Sequence, residues 1–190
     1  HVPVGDDQKQ HLELCRDIAQ KFNNDYEIEN FFIVPEPLIK KEFSRIMSLK
    51  DGLKKMSKSE ISDLSRINLT DDKDQIINKI KKAKTDTLPL PSTIDELEKR
   101  PEAKNLIGIY SSLMNNTFQK TIDEFAGKNF SEFKEKLSDI VVNEISPISL
   151  RIKELLNDKV FLEKILKEGY EKANEIASKK IKKIHEIVGF

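Results

Sequence analysis

The residue types able to do chemistry concentrate in one short stretch, Lys54-Lys55-Met56-Ser57-Lys58-Ser59. Three ammonium groups and two hydroxyls surround one methionine. Lysine ammonium groups are compact point charges that suit phosphate oxygens. Serine hydroxyls and loop N–H groups add donors. A generic Lys/Ser cluster reads as a solvated basic turn. This one follows strand-like segments and precedes a helical region, a context in which a phosphate-holding loop makes structural sense. A second candidate is Val4-Gly5-Asp6-Asp7-Gln8. Glycine at the end of a strand lets a ligand approach the backbone, and the helix that follows offers unpaired N–H groups. Asp6 and Asp7 would repel phosphate but can accept ribose hydroxyls, so this turn suits a nucleoside. Read alone, Gly-Asp is also an ordinary helix-start turn.

Other candidates are weaker. Lys179-Lys180-Ile181-Lys182-Lys183 reads as an RNA-backbone contact or as the wet face of an amphipathic helix, and the spacing of Ile181 and Ile184 favours the second. Lys79, Lys81, Lys82 and Lys84 read the same way. Cys15 is the single cysteine, which excludes an intrachain disulfide and a cysteine zinc site. It reads as a small core residue. His1, His11 and His185 are scattered, so no metal held by the protein is expected.

Positioning the lysine loop requires elements on both sides of it. Val2–Val4 reads as a buried strand, Gly5–Asp7 as a turn, and Leu12, Cys15, Ile18, Ala19 and Phe22 as one helical face capped by Asp6 or Asp7. Phe31–Val34 reads as another buried strand, ended by Pro35 and Pro37, and Arg45–Leu49 as a third apolar segment. From about Thr70 the pattern turns helical. Asp71 or Asp72 opens a helix carrying Ile76, Ile77, Ile80 and Ala83. Leu88-Pro89-Leu90-Pro91 is a stiff break, and Pro101 opens a helix with Leu106, Ile109, Tyr110 and Leu113 on one face. Phe130, Phe133, Leu137, Ile140 and Val141 mark a helix stopped near Pro147. A last helix carries Leu162, Ile165, Leu166, Tyr170, Ala173, Ala177, Ile181, Ile184 and Val188. The fold class is α/β, half a Rossmann-type sheet over residues 1–69 followed by an all-α region over 70–190.

Composition bounds the rest. Hydrophobic residues make up 37% and charged residues 35%, enough for a core and a wet surface. The 33 basic residues balance 33 acidic ones, so any nucleic-acid contact must come from a local patch rather than bulk charge. No apolar run approaches a membrane span, and no secretory signal is read, which points to a soluble, cytoplasmic setting. Beginning inside a strand, the chain is expected to be a fragment.

The sequence resembles the bacterial-type tryptophanyl-tRNA synthetases of class I. The resemblance rests on His1-Val2-Pro3-Val4-Gly5-Asp6-Asp7-Gln8-Lys9-Gln10-His11, on Arg45-Ile46-Met47-Ser48-Leu49 and on Lys55-Met56-Ser57-Lys58-Ser59. It continues through Lys84-Thr85-Asp86, Asn105-Leu106, Ile109-Tyr110, Gly169 to Ala177 and Gly189-Phe190, and so runs the length of the chain. Ser62 to Asp72, with Arg100-Pro101-Glu102-Ala103, looks most like an alphaproteobacterial or mitochondrial branch. The resemblance implies that tryptophan attacks the α-phosphate of ATP to give an adenylate, whose acyl group then passes to tRNA. By the same resemblance Lys55 and Lys58 neutralise the leaving pyrophosphate, while Met56, Ser57 and Ser59 shape the loop. Gly5, Asp6 and Asp7 hold ribose and adenosine, Ile46 lies against adenine, and Val2, Val4 and Gln8 lie near tryptophan. ATP with Mg2+ on its phosphates, tRNA(Trp), L-tryptophan and a homodimer are implied too, with residues 70–190 contacting tRNA. The family's histidine-containing ATP motif and its indole-binding aspartate have no counterpart here, so the 190 residues alone are expected to be inactive. Asp6 replaces the usual Glu, and Glu60 stands where Asp is commoner. Two alternatives stay open: a tyrosine-specific synthetase, and a noncatalytic RNA-binding module derived from a synthetase.

Overall fold

Among the described residues the short strands all lie before residue 56, with one long helix between the first two, and only helical segments follow. The computed structural model describes residues 2–5, 8–39 and 45–189. By its internal contacts the chain divides into two units, His1–Leu38 with Ile152–Phe190, and Ile39–Arg151.

In the first unit, strand β1 (Val2–Pro3) runs parallel to β2 (Pro37–Leu38), with Val2 opposite Pro37 and Pro3 opposite Leu38. Helix α1 (Lys9–Asp25) lies between them in sequence, the crossover that parallel pairing needs. Val2 is half-buried and Pro3 exposed, so β1 is less covered than its sequence suggests. The N-cap of α1 is Gln8, whose side chain makes no capping bond; Asp6 and Asp7, expected to cap it, lie outside the described residues. Among the described residues of α1 only Ala19 is buried, while Cys15 and Ile18 are exposed, correcting the core role expected for Cys15.

Phe31–Val34 is not a strand. Phe31 and Phe32 turn back onto α1, with ring centroids 5.3 and 4.9 Å from that of Phe22. Asn23 secures the turn from both sides: its Oδ1 accepts from the Phe32 N–H at 2.9 Å and its Nδ2 donates to the Phe32 carbonyl at 2.8 Å. Ring packing and a side-chain amide replace the ladder a strand would have used. Pro37, expected to end a strand, instead begins β2, where a missing N–H is tolerated.

Helix α7 (Lys159–Val188) is capped by Asp158, which accepts from the Phe161 N–H at 3.0 Å, and closed by Gly189 at φ 92°, a left-handed position suited to glycine. None of its described residues is buried. Its basic tract is not uniformly wet: the Lys180 ammonium lies 3.9 Å from the Phe31 ring centroid and donates to the Phe31 carbonyl.

The second unit holds the larger core. Strand β3 (Met47–Ser48) pairs antiparallel with β4 (Asp51–Lys55), with an irregularity between Met47 and Ser48. Helix α2 (Lys73–Lys81) opens with a capping box: Asp72 accepts from the Gln75 N–H, and the Gln75 side chain accepts from the Asp72 N–H, both at 2.9 Å. Helices α3 (Ile94–Glu98) and α5 (Phe118–Phe125) are capped by Thr93 and Thr117, and α4 (Pro101–Leu113) has Pro101 in its first turn. Leu49, Ile76, Ile80, Leu97, Leu106, Ile107, Ile122 and Leu137 are buried together. Phe125 meets Tyr110 and Phe133 edge-on, at 5.0 and 4.9 Å between centroids. Burial and the neighbouring Glu124 carboxylate push the Tyr110 phenol up to about 12.

Helix α6 (Phe130–Asn157) does not stop at Pro147 but runs through it. Proline removes one i to i−4 donor, here the one facing the Asn143 carbonyl. Asn143 and Pro147 are both exposed, so water can take the freed carbonyl. On the buried side of α6, the Lys134 ammonium donates to the Ala83 carbonyl at 2.7 Å, closing the end of the α2 segment. Burial lowers the pKa of that lysine.

The Leu88–Pro91 break is fastened by Arg100, whose guanidinium donates to both carboxylate oxygens of Asp86 (2.8 and 2.5 Å) and to the Pro89 carbonyl at 2.7 Å. The guanidinium holds the Asp86 carboxyl below its ordinary 3.8. A carboxyl depressed in the folded state stabilises fully above its unfolded pKa and loses that contribution as pH falls through the folded one. Arg100→Ala should therefore lower stability by a constant amount above pH ~5, with the gap narrowing below pH ~4. Urea denaturation of both proteins from pH 6 to 3 measures this; a gap that stays constant to pH 3 contradicts it.

Candidate phosphate-binding site

The site is built on the β3–β4 hairpin, and the hairpin is built on α4. Met47 gives both backbone groups to one side chain: its N–H donates to Asn105 Oδ1 at 2.9 Å, and its carbonyl accepts from Asn105 Nδ2 at 2.8 Å. Asn105 is buried. One turn earlier on α4, the Glu102 carboxylate accepts from the Lys84 ammonium at 2.8 Å, and Lys84, with help from the Gly52 backbone, holds the Glu102 carboxyl below its ordinary range. Between these two fastenings, Gly52 lies directly against the start of the helix. A Cβ there would stand 2.6 Å from the Glu102 nitrogen and from the Pro101 carbonyl carbon, so only glycine fits.

The tip of the hairpin is held at Leu49, whose N–H donates to the Ser65 carbonyl at 2.8 Å and whose carbonyl accepts from the Lys84 N–H at 2.7 Å. Leu49 is buried, so these bonds leave no backbone group unpaired in the core.

The sequence treats Lys54 to Ser59 as loop, but β4 extends to Lys55. The loop proper begins at Met56, whose N–H donates to the Ile46 carbonyl at 3.0 Å. That bond brings Ile46, half of whose surface is exposed, beside the loop entrance. Beyond it the Ser57 and Ser59 hydroxyls bond each other at 2.8 Å, and the Ser59 N–H donates to Ser57 Oγ at 3.3 Å, curling the segment on itself. Lys54 lies 3.6 Å from Asp51. Lys55 and Lys58 are exposed, and no described carboxylate pairs with either. The segment therefore presents two unneutralised ammonium groups and two hydroxyls, the donor set a phosphate chain needs.

Downstream, the chain is tied down by a cluster that the sequence reading does not find. Lys79, expected on a wet face, is buried, and its ammonium donates to Asp71 at 2.6 Å and Asp63 at 2.7 Å. Asn68 donates to both carboxylates, and Arg66 reaches Asp63 at 3.2 Å. The bond from Lys79, then that from Asn68, holds the Asp63 carboxyl below its usual 3.8. Lys79 shares the buried helical face with Ile76 and Ile80, and a lysine on an apolar face needs a buried counter-charge. That was the available signal. Asn105 carried a signal too, as an amide among Leu106, Ile107 and Ile109 on a helix.

Ile46, Lys55, Met56, Ser57, Lys58 and Ser59 are thus gathered in one unit. Val2, Val4, Gly5 and Gln8 belong to the other, where the Gln8 N–H donates to the Gly5 carbonyl at 3.0 Å and the Val4 N–H to the Leu38 carbonyl at 3.3 Å. Asp6 and Asp7 lie outside the described residues. Among the described residues no group of three or more His, Cys, Asp or Glu is placed to hold a metal ion, and no helix is long and apolar enough to cross a membrane.

A lysine loop on a hairpin, a helix-start glycine after a parallel strand, and a helical region downstream define a class. The chain belongs to the class I tRNA synthetases (W and Y), matching that family over residues 1–145. Within it the similarity is to the tryptophan enzymes: 51% identity over 190 residues to the tryptophan–tRNA ligase of Caulobacter vibrioides, and 52% over 189 residues to that of Rickettsia felis. Each match covers all of this chain, and the chain spans 55% and 56% of the two relatives' lengths. Among solved structures, the tryptophanyl-tRNA synthetase of Mycoplasma pneumoniae superposes with a TM-score of 0.82 at 27% identity, over 98% of this chain and 55% of that one. The Campylobacter jejuni enzyme, complexed with ADP and tryptophan, gives 0.66 at 30% identity, over 100% of this chain and 56% of that one.

The Asn105 clasp makes a direct prediction. Asn105→Ala leaves the Met47 N–H and carbonyl without their partner and should cost roughly 2–4 kcal/mol, two groups at about 1–3 each taken toward the lower end because Met47 is only half-buried. Urea denaturation of the two proteins checks it, and a difference within about 0.5 kcal/mol would show that water or a local shift replaces the clasp.

Proposed function

We propose that this chain supplies the phosphate-holding half of a tryptophan–tRNA ligase active site, acting with the further length that its relatives possess. The observation that carries the reading is the pair Lys55 and Lys58, exposed and without a described carboxylate partner, on a segment fixed at its entrance by the Met56–Ile46 bond. The Campylobacter jejuni relative, complexed with ADP and tryptophan, supports a site for nucleotide and amino acid together.

In this reading the tryptophan carboxylate attacks the α-phosphorus of ATP, the α–β phosphoanhydride bond breaks, and pyrophosphate leaves. Lys55 and Lys58 place positive charge where negative charge grows on the leaving oxygens, an interaction stronger in the transition state than in the ground state. The Ser57 and Ser59 hydroxyls, now bonded to each other, turn to the phosphates when these arrive. Ile46 lies against the adenine, and Gly5 allows close approach of the nucleoside, with Asp6 and Asp7 accepting from ribose. Val2, Val4 and Gln8 face the amino acid. Mg2+ arriving on the ATP phosphates offsets their charge; the loop's ammonium and hydroxyl groups complement phosphate oxygens rather than the ion. A ribose hydroxyl at the 3′ end of tRNA(Trp) then attacks the adenylate carbonyl, the acyl–phosphate bond breaks and AMP leaves, with residues 70–190 as the tRNA-contacting region. The same reading takes the working protein to be a cytoplasmic homodimer.

Lys58→Ala in the full-length protein should slow adenylate formation about a hundredfold or more, the typical loss when one transition-state donor is removed. Tryptophan affinity should stay within about twofold, because that interaction forms only as charge develops. Pre-steady-state adenylate assays with equilibrium tryptophan binding measure both. Equal adenylation rates would remove Lys58 from the mechanism, and ATP–pyrophosphate exchange driven by tyrosine but not tryptophan would assign the tyrosine specificity instead.

A further inference from the structure

We infer that Arg66 is a positioning residue for the lysine loop, tying its exit through Asp63 to the buried Lys79–Asp71 pair so that Lys58 is delivered at a fixed place; this rests on the phosphate-holding role proposed above. The guanidinium divides its nitrogens among three acceptors. Nη1 donates to the Glu60 carbonyl at 2.8 Å, Nε to Asn68 Oδ1 at 3.2 Å, and Nη2 lies 3.2 Å from Asp63 Oδ1. Only the first touches the loop. The other two lead inward, because Asp63 and Asn68 both connect to the cluster around the Lys79 ammonium, whose side chain is 3% exposed.

The hydrogen bonds of the loop show why this contact matters. At the entrance, Met56 is held by Ile46. Past it, the side chains of Ser57 and Ser59 bond each other and the Glu60 N–H bonds the Ser57 carbonyl, all within the segment. Among these bonds, the first after Met56 that reaches outside the segment is the one from Arg66 to Glu60. Ser57–Ser59 is thus a span between two fixed points, Ile46 on one side and Arg66 on the other.

Arg66 is not itself a spare cation for phosphate. Arg66 and Lys79 are balanced by Asp63 and Asp71, so the cluster is neutral, and each guanidinium nitrogen of Arg66 already has an oxygen partner. A lysine at 66 would keep the charge opposite Asp63 but has no planar fork to reach Glu60 and Asn68 as well.

The test is Arg66→Lys in the full-length protein, with Arg66→Gln as a second variant. Amide hydrogen exchange should quicken about tenfold or more at Ser57–Ile61 and stay unchanged at Ile76–Ile80. Single-turnover adenylate formation should fall about tenfold and the KM for ATP should rise, with tryptophan affinity within about twofold of the parent. Unchanged exchange at Ser57–Ile61 overturns the inference. So does exchange that quickens equally in α2, or tryptophan affinity that falls in step with Tm, since either marks Arg66 as general scaffold. If the unsubstituted protein shows no tryptophan-dependent ATP–pyrophosphate exchange, the proposed function fails, and the exchange pattern alone decides the tether.

Discussion

Both backbone groups of Met47 are held by the two ends of one buried amide, Asn105. Met47 opens the hairpin from which the lysine segment leaves, so the register of β4 is referred to a helix 58 residues further along the chain. Antiparallel pairing alone would not fix it: β3 has two residues, its ladder is interrupted, and so short a hairpin has little stability of its own. The side chain of α4 supplies what the ladder lacks. Gly52 then lets the hairpin lie against the helix at a distance no other residue permits, and the Lys84–Glu102 pair fastens the far side.

The arrangement separates two kinds of cation. Lys79, Lys134 and Arg100 point into the unit and are satisfied by its own carboxylates or carbonyls, and Lys84, though exposed, is paired with Glu102. Lys55 and Lys58 are left outside that accounting. Burying a charge is costly unless it is paired, so the internal cations act as fasteners, each fixing the elements that donate its oxygen partners. Lys134, which reaches carbonyls rather than carboxylates, feels that cost as a lowered pKa.

Much of this was legible in the sequence where the cause is local. The lysine loop, the Asp72 cap, the Pro101 helix start and the Val2–Gly5 strand exit all follow from a few adjacent residues. What was not legible depends on partners distant in sequence. Phe31–Val34 has the composition of a strand, but the rings of α1 and the Asn23 amide claim it first. Pro147 reads as a stop, yet a solvent-facing position lets a helix lose one bond without breaking. Lys79 reads as surface because its counter-charges sit at Asp63 and Asp71, outside the helix that periodicity describes. Cys15 reads as core because spacing marks a face without saying how far that face is covered.

The separation of cations bears on how an anion is captured. An ammonium already committed to a carboxylate must be prised from it before it can serve a new ligand, and that rupture would enter the barrier. Lys55 and Lys58 have no described carboxylate to surrender. In the role proposed for them, what they would shed on meeting a polyphosphate is hydration water and the diffuse cloud of mobile counterions around an exposed charge, which reaches about 8 Å at physiological ionic strength. Encounter would then be governed by the solvent's ions rather than by the protein's own bonds, and added salt would slow arrival without altering the scaffold that receives it.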